Sequence, residues 1–132
     1  MTCTITEDIL KLERAALDRW GAGDPSGFLE LCATDVSYFD PFLEHRLDGL
    51  PALTAWYDTL RGKVHVERYD MLAPDVLVCG DTAVLTFQLV SHMGSNSMPW
   101  NCTEVYCRQP QGWRLIRTHW SVTGHMRGQT GA

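Results

Sequence analysis

The sequence has few lysines and no stripe of basic residues. Its 132 residues contain two lysines, Lys11 and Lys63, beside nine arginines, and the formal net charge is −5. Surfaces that bind nucleic acids carry clustered positive charge, so we expect no nucleic acid partner. The length suits one domain, and we predict that residues 1–132 form it, with 127–132 as a flexible tail.

Long apolar runs are also missing. No apolar stretch approaches 18 residues, so no membrane-spanning helix and no membrane partner are expected. The N-terminus lacks a basic segment followed by an apolar one, so we predict no signal peptide. The five cysteines are odd in number and form no CxxC pair. Free thiols and a cytoplasmic location are the expectation.

Motifs for metal binding and nucleophilic catalysis are absent. The histidines form neither an HxH nor an HxxxH pair, and no GxSxG elbow occurs; the five are His45, His65, His92, His119 and His125. Metal sites and serine nucleophiles are usually recognisable in a sequence by such spacings. We therefore predict no metal and no cofactor.

Three helices are predicted in the first half of the chain. Thr4 and Glu7 form a capping-box pattern. An apolar stripe follows at helical spacing and ends before Gly21; its members are Ile5, Ile9, Leu12, Ala16 and Trp20. Asp24 is the predicted N-cap of a short second helix with Pro25 at its first position, and a third helix is predicted over 51–60.

The remaining segments alternate as strands do. Strands are predicted at 36–40, 64–71, 76–79, 83–91, 100–108 and 113–123, with turn residues between the later ones. Short connections favour an antiparallel meander. The prediction is an α+β fold in which a cone-shaped, curved antiparallel sheet wraps around three N-terminal helices and encloses one largely apolar pocket.

Alternation assigns faces to the strands. One face of strand 83–91 is fully apolar and should contact the helices; it consists of Ala83, Leu85, Phe87 and Leu89. In the last strand, Arg117 and His119 share a face and Trp120 lies on the other. Either the two polar residues face water, or they face a polar pocket and Trp120 is outside. In the second case Trp120 joins an outer apolar patch with Ile116, Val122 and Val90, which predicts a homodimer packed through the sheet.

The order of short motifs resembles a known superfamily. The motifs are Gly21-Ala22-Gly23-Asp24, Tyr38-Phe39-Asp40-Pro41, Thr103-Glu104-Val105-Tyr106, Gly112-Trp113-Arg114-Leu115-Ile116 and His119-Trp120-Ser121. Over about residues 5–125 the chain is similar to the nuclear-transport-factor-2-like superfamily, which includes ketosteroid isomerase and SnoaL-like cyclases. It most resembles bacterial proteins akin to the calcium/calmodulin-dependent kinase II association domain. The resemblance implies a cone-shaped α+β barrel, usually dimeric, with Arg117, His119 and Ser121 facing the pocket and Trp120 outside.

The resemblance also implies candidate catalytic residues. Asp40, directly before Pro41, matches the proton-shuttling carboxylate of ketosteroid isomerase, and Glu104 matches a second, protonated acid. A base and a neutral acid in one apolar pocket can isomerise or cyclise a substrate beside a carbonyl. The phenol donor of the isomerase corresponds to Ala16, so a tyrosine or His119 would have to replace it. Asp40 could instead only cap the turn at Pro41.

Arg117 and His119 have two interpretations each. A buried arginine needs an anionic partner, either Glu104 or the carboxylate of a ligand. His119 is either a third catalytic candidate or a core residue with its hydrogen bonds satisfied.

Ligand-contacting residues are expected around the pocket. Beside Arg117 they are Tyr38, Trp56, Tyr57, Tyr69, Phe87 and Trp100, which could alternatively be plain core. Three functions therefore stay open: a pocket that binds an apolar or carboxylate-bearing small molecule, an isomerase, cyclase or dehydratase that uses Asp40, and an oligomerisation module.

Overall fold

The structure, a computed structural model, describes residues 4–123. Its helices are α1 (Ile5–Gly21), α2 (Ser26–Leu31) and α3 (Leu50–Leu60). Its strands are β1 (Cys32–Phe39), β2 (Leu47–Asp48), β3 (Arg68–Cys79), β4 (Thr82–Met93), β5 (Asn96–Gln109) and β6 (Gly112–Val122). The predicted α+β class is confirmed. The predicted tail, 127–132, lies outside the described residues.

Helix α1 begins at the predicted capping box. The backbone N–H of Glu7 donates to Thr4 Oγ1 at 3.1 Å, and the backbone N–H of Thr4 donates to Glu7 Oε1 at 3.0 Å. These reciprocal bonds satisfy N–H groups that the first helical turn leaves without partners. The buried face of the helix contains Ile9, Ala16 and Leu17, and also the charged residue Glu13.

The later helices begin close to the predicted positions. The Asp24 carboxylate accepts from the backbone N–H of Ser26 at 3.0 Å, although Pro25 occupies the cap position itself. Gly49 precedes α3 with φ of +91°, a backbone conformation that favours glycine. Together α2 and α3 cover the concave side of the sheet beside α1.

The sheet has six strands in the order β2-β1-β6-β5-β4-β3. All neighbouring pairs are antiparallel except β1 and β6, which are parallel. The prediction of a purely antiparallel sheet is therefore wrong at that pair. The meander β3–β6 was visible in its turn residues, whereas the pairing of β1 with the far end of the chain leaves no local signal.

Strand β3 also differs from the prediction. The segments 64–71 and 76–79 were predicted as two strands, but β3 is one strand with an irregularity between Leu72 and Asp75. Ala73 there has φ of 50°, in the left-handed region. The residues before Arg68, including Val64 and Val66, lie outside the strand and reach the interior.

A β-bulge in β6 decides which side chains enter the interior. Val105 pairs with Arg117 and Tyr106 with Leu115, so Ile116 is an extra residue opposite the partner strand. Leu115 is buried before the bulge, and Thr118 is buried after it. A one-residue insertion reverses the alternation beyond it. The position facing the pocket that the resemblance implied for Arg117, His119 and Ser121 is therefore wrong.

The core fills the space between the helices and the concave face of the sheet. The predicted apolar face of β4, from Ala83 to Leu89, is buried as expected. Within residues 4–123, no helix is both long and apolar enough to cross a bilayer.

Candidate functional site

A cavity of about 320 Å³ opens among the helices, the end of β1 and one half of the curved sheet. Aromatic side chains make up half of its lining: Trp20, Phe28, Tyr38, Phe42, Trp56, Tyr57, Tyr69, Trp100 and Trp120. The others are Leu17, Asp40, Leu60, Val64, Val66, Leu89, Ser91, Met93 and Met98. Concave apolar sites with a few polar groups are typical of small-molecule binding.

The aromatic rings support one another. Trp20 and Tyr57 lie 5.0 Å apart between ring centroids, and Tyr38 meets Tyr57 edge-on at 5.4 Å. Trp100 meets Trp120 edge-on at 6.0 Å. Such tilted and edge-on pairs are favourable arrangements of aromatic quadrupoles, so the cavity walls are held by their own contacts.

Among the residues that the structure describes, Asp40 is the one charged member of this lining. Its Oδ2 accepts from the hydroxyl of Tyr38 at 2.8 Å and from the indole N–H of Trp56 at 3.0 Å. Its Oδ1 accepts from the backbone N–H of Phe42 at 2.8 Å. The turn cap considered from sequence is therefore present at one oxygen, while the other oxygen is held by two cavity side chains.

The phenols beside Asp40 are held in their neutral form. Burial raises the pKa of Tyr38 well above its usual value and the charge of Asp40 adds to this, whereas hydrogen bonding with Tyr57 opposes it. Burial also raises the pKa of Tyr57, with the neighbouring Tyr38 adding to the shift. Both hydroxyls therefore keep their protons and can act as hydrogen-bond donors.

Three further polar groups of the cavity lining are already paired. The hydroxyl of Tyr69 donates to Asp18 Oδ1 at 3.0 Å. Burial, and then the hydrogen bond to Asp18, raise the pKa of Tyr69 to about 12. The indole N–H of Trp100 donates to Ser91 Oγ at 3.2 Å. Asp40 therefore differs from these groups in that it carries a carboxylate into the cavity wall.

A second acidic cluster lies in the core, away from the cavity lining. Glu13 of α1 and Glu104 of β5 are both fully buried. Glu13 Oε1 accepts from the hydroxyl of Tyr106 at 2.6 Å, and the Cys102 thiol lies 3.5 Å from Glu104 Oε1. Each glutamate has an Oε2 atom that no ordinary donor among the described residues reaches.

A shared proton accounts for this pair of glutamates. Burial, and then the charge of Glu13, raise the pKa of Glu104 well above its usual value. Burial raises the pKa of Glu13 to about 7, and hydrogen bonds from Tyr106 and Glu104 oppose that rise. Glu104 therefore stays protonated and donates to Glu13, as expected where two carboxyl groups cannot both ionise.

The same cluster is where a metal ion could be held. One ligand atom each from Glu13, Cys102 and Glu104 lies within 4.8 Å of the other two. Burial raises the pKa of the Cys102 thiol, with the charge of Glu104 adding to it. An ion would have to displace protons from both the thiol and the carboxylic acid, so the protonated pair is the better account of these residues.

The structure places some predicted site residues elsewhere. Arg117 is exposed on the outer face, where its Nη1 donates to the carbonyls of Ile116 at 2.6 Å and Asp35 at 3.5 Å. His119 is exposed and stacks on Phe39 with centroids 4.8 Å apart. The ion pair between Arg117 and Glu104 considered from sequence is absent. Pocket-facing positions for Arg117 and His119 are thus wrong.

Phe87 and Trp120 both differ from their predicted positions. Phe87 is buried but does not line the cavity, and its ring lies 5.8 Å from that of Trp120. Trp120 lines the cavity, so the prediction of an outer Trp120 is wrong. The six other predicted positions do line it: Tyr38, Asp40, Trp56, Tyr57, Tyr69 and Trp100. Glu104 does not, and lies in the core beside Glu13.

Sequence reasoning missed Glu13. A signal was present, because Glu13 follows Ile9 by four residues and precedes Leu17 by four, which puts it on an apolar helical face. A charged residue at such a position requires a hydrogen-bonding or charged partner in the core.

Sequence comparison identifies the family. The model of the calcium/calmodulin-dependent protein kinase II association domain matches residues 6–124. The chain belongs to this family. The predicted membership of the nuclear-transport-factor-2-like superfamily is confirmed. Comparison with curated proteins gives no match.

Solved structures agree with this family. A Parabacteroides distasonis protein, provisionally assigned as a ketosteroid isomerase, is 42% identical over 93% of this chain and 91% of its own, with a TM-score of 0.86. A nuclear-transport-factor-2-like protein of unknown function from Pseudomonas putida has 22% identity, covering 92% of this chain and 88% of its own, and a TM-score of 0.81. The calcium/calmodulin-dependent kinase II hub of S. rosetta has 19% identity, covering 93% and 100%, and a TM-score of 0.78. The last two show a shared fold.

Proposed function

We propose that the protein binds a flat, largely apolar small molecule in the cavity. The observation that carries this is a space of about 320 Å³ in which half of the lining residues are aromatic and one is a carboxylate. Its volume is at the lower end of the range for ligand sites, roughly 300–1,000 Å³. Apolar surface left open in a protein interior gains free energy when a ligand of matching shape replaces water.

The carboxylate-bearing ligand expected from sequence has lost its support. That expectation depended on Arg117 in the pocket, and Arg117 lies on the outer face. No Lys, Arg or His belongs to the lining among the described residues. A ligand carboxylate would therefore be desolvated beside Asp40 without a counter-charge, which is costly.

Binding can be tested with 2-naphthol, a neutral flat aromatic, by titration calorimetry. Leu60→Trp places a further large ring in the lining and should weaken binding at least tenfold by filling the cavity. Leu77→Trp is the matched control, because Leu77 is 65% exposed on β3 and far from the lining. Equal binding by both variants, or no binding by the native protein, would contradict the proposal.

A second candidate function is proton transfer beside a carbonyl, with Asp40 as the base. The favouring observation is that Asp40 lies in the cavity wall beside the neutral phenol of Tyr38. The Parabacteroides relative carries a provisional ketosteroid isomerase assignment, which supports the same chemistry. Glu104 and His119 take no part in the proton transfer proposed here, because neither lines the cavity.

Proton exchange offers a direct test of this candidate. The protein is incubated with a cyclic β,γ-unsaturated ketone in D₂O, and deuterium uptake at the carbon beside the carbonyl is followed by NMR. Asp40→Asn should lower the rate at least a hundredfold, since the base is removed. Asp35→Asn, an exposed aspartate outside the cavity, is the control. An unchanged rate in Asp40→Asn would exclude this role.

Self-association through the outer sheet face is proposed for the assembled protein. Strands β4 and β5 present uncharged side chains there, including the exposed residues Thr86, Gln88, Asn101 and Thr103. The similarity to kinase hub structures supports association. Trp120 is not part of this face, so the surface is more polar than the sequence suggested.

Sedimentation equilibrium tests the proposed interface. Thr103→Arg puts a charge at the middle of the face, paired between Thr86 and His119, and should shift the protein toward the monomer. Asp81→Arg, in the exposed turn after β3, is the control. A monomeric native protein would contradict the proposed homodimer.

A further inference from the structure

The cavity lining carries a negative charge without a positive one. Asp40 is the charged member, and within residues 4–123 no cationic side chain belongs to the lining. The three groups that donate to Asp40 are a phenol, an indole and a backbone amide, all neutral. The carboxylate is therefore oriented by hydrogen bonds while its charge stays uncompensated within the cavity wall.

Asp40 has capacity for one more donor. An ionised carboxylate offers about four lone-pair positions. Oδ2 uses two of them, for Tyr38 and Trp56, and Oδ1 uses one, for Phe42. One position on Oδ1 is left for a further donor. A charged N–H donor would fill it with a stronger bond than a neutral one.

The rings of the cavity favour the same kind of group. Trp20, Tyr57 and Trp120 belong to a wall in which half of the residues are aromatic. The faces of such rings are electron-rich and attract cations, most strongly those of tryptophan. The hydrocarbon part of a ligand gains from the same rings by burial of its surface.

We propose that the ligand of this cavity is a hydrophobic amine, protonated at neutral pH, with its ammonium group at Asp40 and its rings among the aromatic side chains. This inference rests on the proposed binding function and specifies its ligand class. The proposed ligand is a cation, whereas an apolar pocket alone would also accept neutral or anionic molecules.

Three naphthalene derivatives of matched shape provide the experiment. They are 1-naphthylmethylamine, 1-naphthalenemethanol and 1-naphthoic acid, titrated into the native protein at pH 7 by calorimetry. The amine should bind at least ten times more tightly than the alcohol, and the acid most weakly. In Asp40→Asn the amine and the alcohol should bind within about twofold of each other, whereas Asp35→Asn, an exposed control, keeps the difference.

A second variant guards against misfolding of Asp40→Asn. Tyr38→Phe removes one donor from Oδ2 and leaves the charge in place, so the ratio of amine to alcohol affinity should rise several-fold. Equal binding of amine and alcohol by the native protein overturns the amine proposal and leaves the binding function standing. Tighter binding of the acid overturns it as well. No binding of any of the three by the folded protein overturns both proposals.

Discussion

Asp40 in the cavity wall and the buried pair of Glu13 and Glu104 show how the surroundings of a carboxyl group change what it can do. Asp40 lies in the wall of an open cavity and is held by three neutral donors. Glu13 and Glu104 lie in a dry core, where one phenol donates to Glu13 and the two acids face each other. The first carboxylate is oriented by neutral donors beside a cavity, whereas burial of two neighbouring acids forces the second site to retain a proton.

The largest expected effect comes from removing one member of the core pair. Glu104→Ala leaves a gap beside Glu13 and takes away its second donor, so we expect a loss of about 3 kcal/mol in the free energy of unfolding. Glu104→Gln is the matched control. Its amide N–H can replace the shared proton, and the loss should stay under about 1 kcal/mol. Urea denaturation at pH 7 measures both, and equal losses would refute the shared proton.

The next effect is a dependence of stability on pH. Burial raises the pKa of Glu13 to about 7 and that of Glu104 well above its usual value, whereas both titrate near 4.5 when unfolded. The folded protein then binds more protons than the unfolded chain above about pH 4.5, so stability falls as pH rises. Each proton contributes a slope of about 1.4 kcal/mol per pH unit.

The pH window follows from those values. The contribution of Glu13 is complete below about pH 4.5 and is lost as pH rises through about 7, while that of Glu104 is lost at higher pH. Carboxylates with lowered pKa, such as Asp24 and Asp70, act in the opposite direction and at lower pH. Urea denaturation between pH 5 and pH 8 should show declining stability, less steep in Glu104→Gln. A stability that rises across this range would refute the account.

A smaller effect is expected from removing the hydroxyl of either of two tyrosines that donate to a carboxylate. Tyr106 donates to Glu13 at 2.6 Å in the core, and Tyr38 donates to Asp40 at 2.8 Å beside the cavity. Tyr106→Phe should cost about 2 kcal/mol, because a buried carboxylate loses a donor that nothing replaces. Tyr38→Phe should cost about 1 kcal/mol, since Trp56 still donates to the same oxygen. Thermal or urea unfolding gives both numbers, and a larger loss for Tyr38→Phe would reverse the comparison.

Local patterns predicted most of the fold. The capping box at Thr4 and the alternation from Ala83 to Leu89 each depend on neighbours a few residues away, and both are present in the structure. The parallel pairing of β1 with β6 was not predictable in this way, because it joins segments about eighty residues apart. Local sequence patterns predict the helices and strands, whereas contacts between distant segments determine which strands pair.

The candidate site was predictable at its β1 end and not at its β6 end. Asp40 and Tyr38 belong to a recognisable motif, and both line the cavity. Alternation left open whether Arg117 or Trp120 faces the interior, and the resemblance assigned both to the wrong faces. Glu13 was missed because its partner comes from β5, more than ninety residues later.

The smallest expected effect tests the bulge in β6. Deleting Ile116 would make β6 regular, with Leu115 inward, Arg117 outward and Thr118 inward as they are now. The fold and the cavity should therefore survive, at a cost of about 1 kcal/mol for lost packing and altered twist. If alternation instead ran unbroken through Ile116, the deletion would turn every later side chain to the opposite face and remove Trp120 from the cavity. Urea unfolding together with 2-naphthol titration separates the two outcomes, since only the bulged strand keeps both stability and binding when it loses a residue.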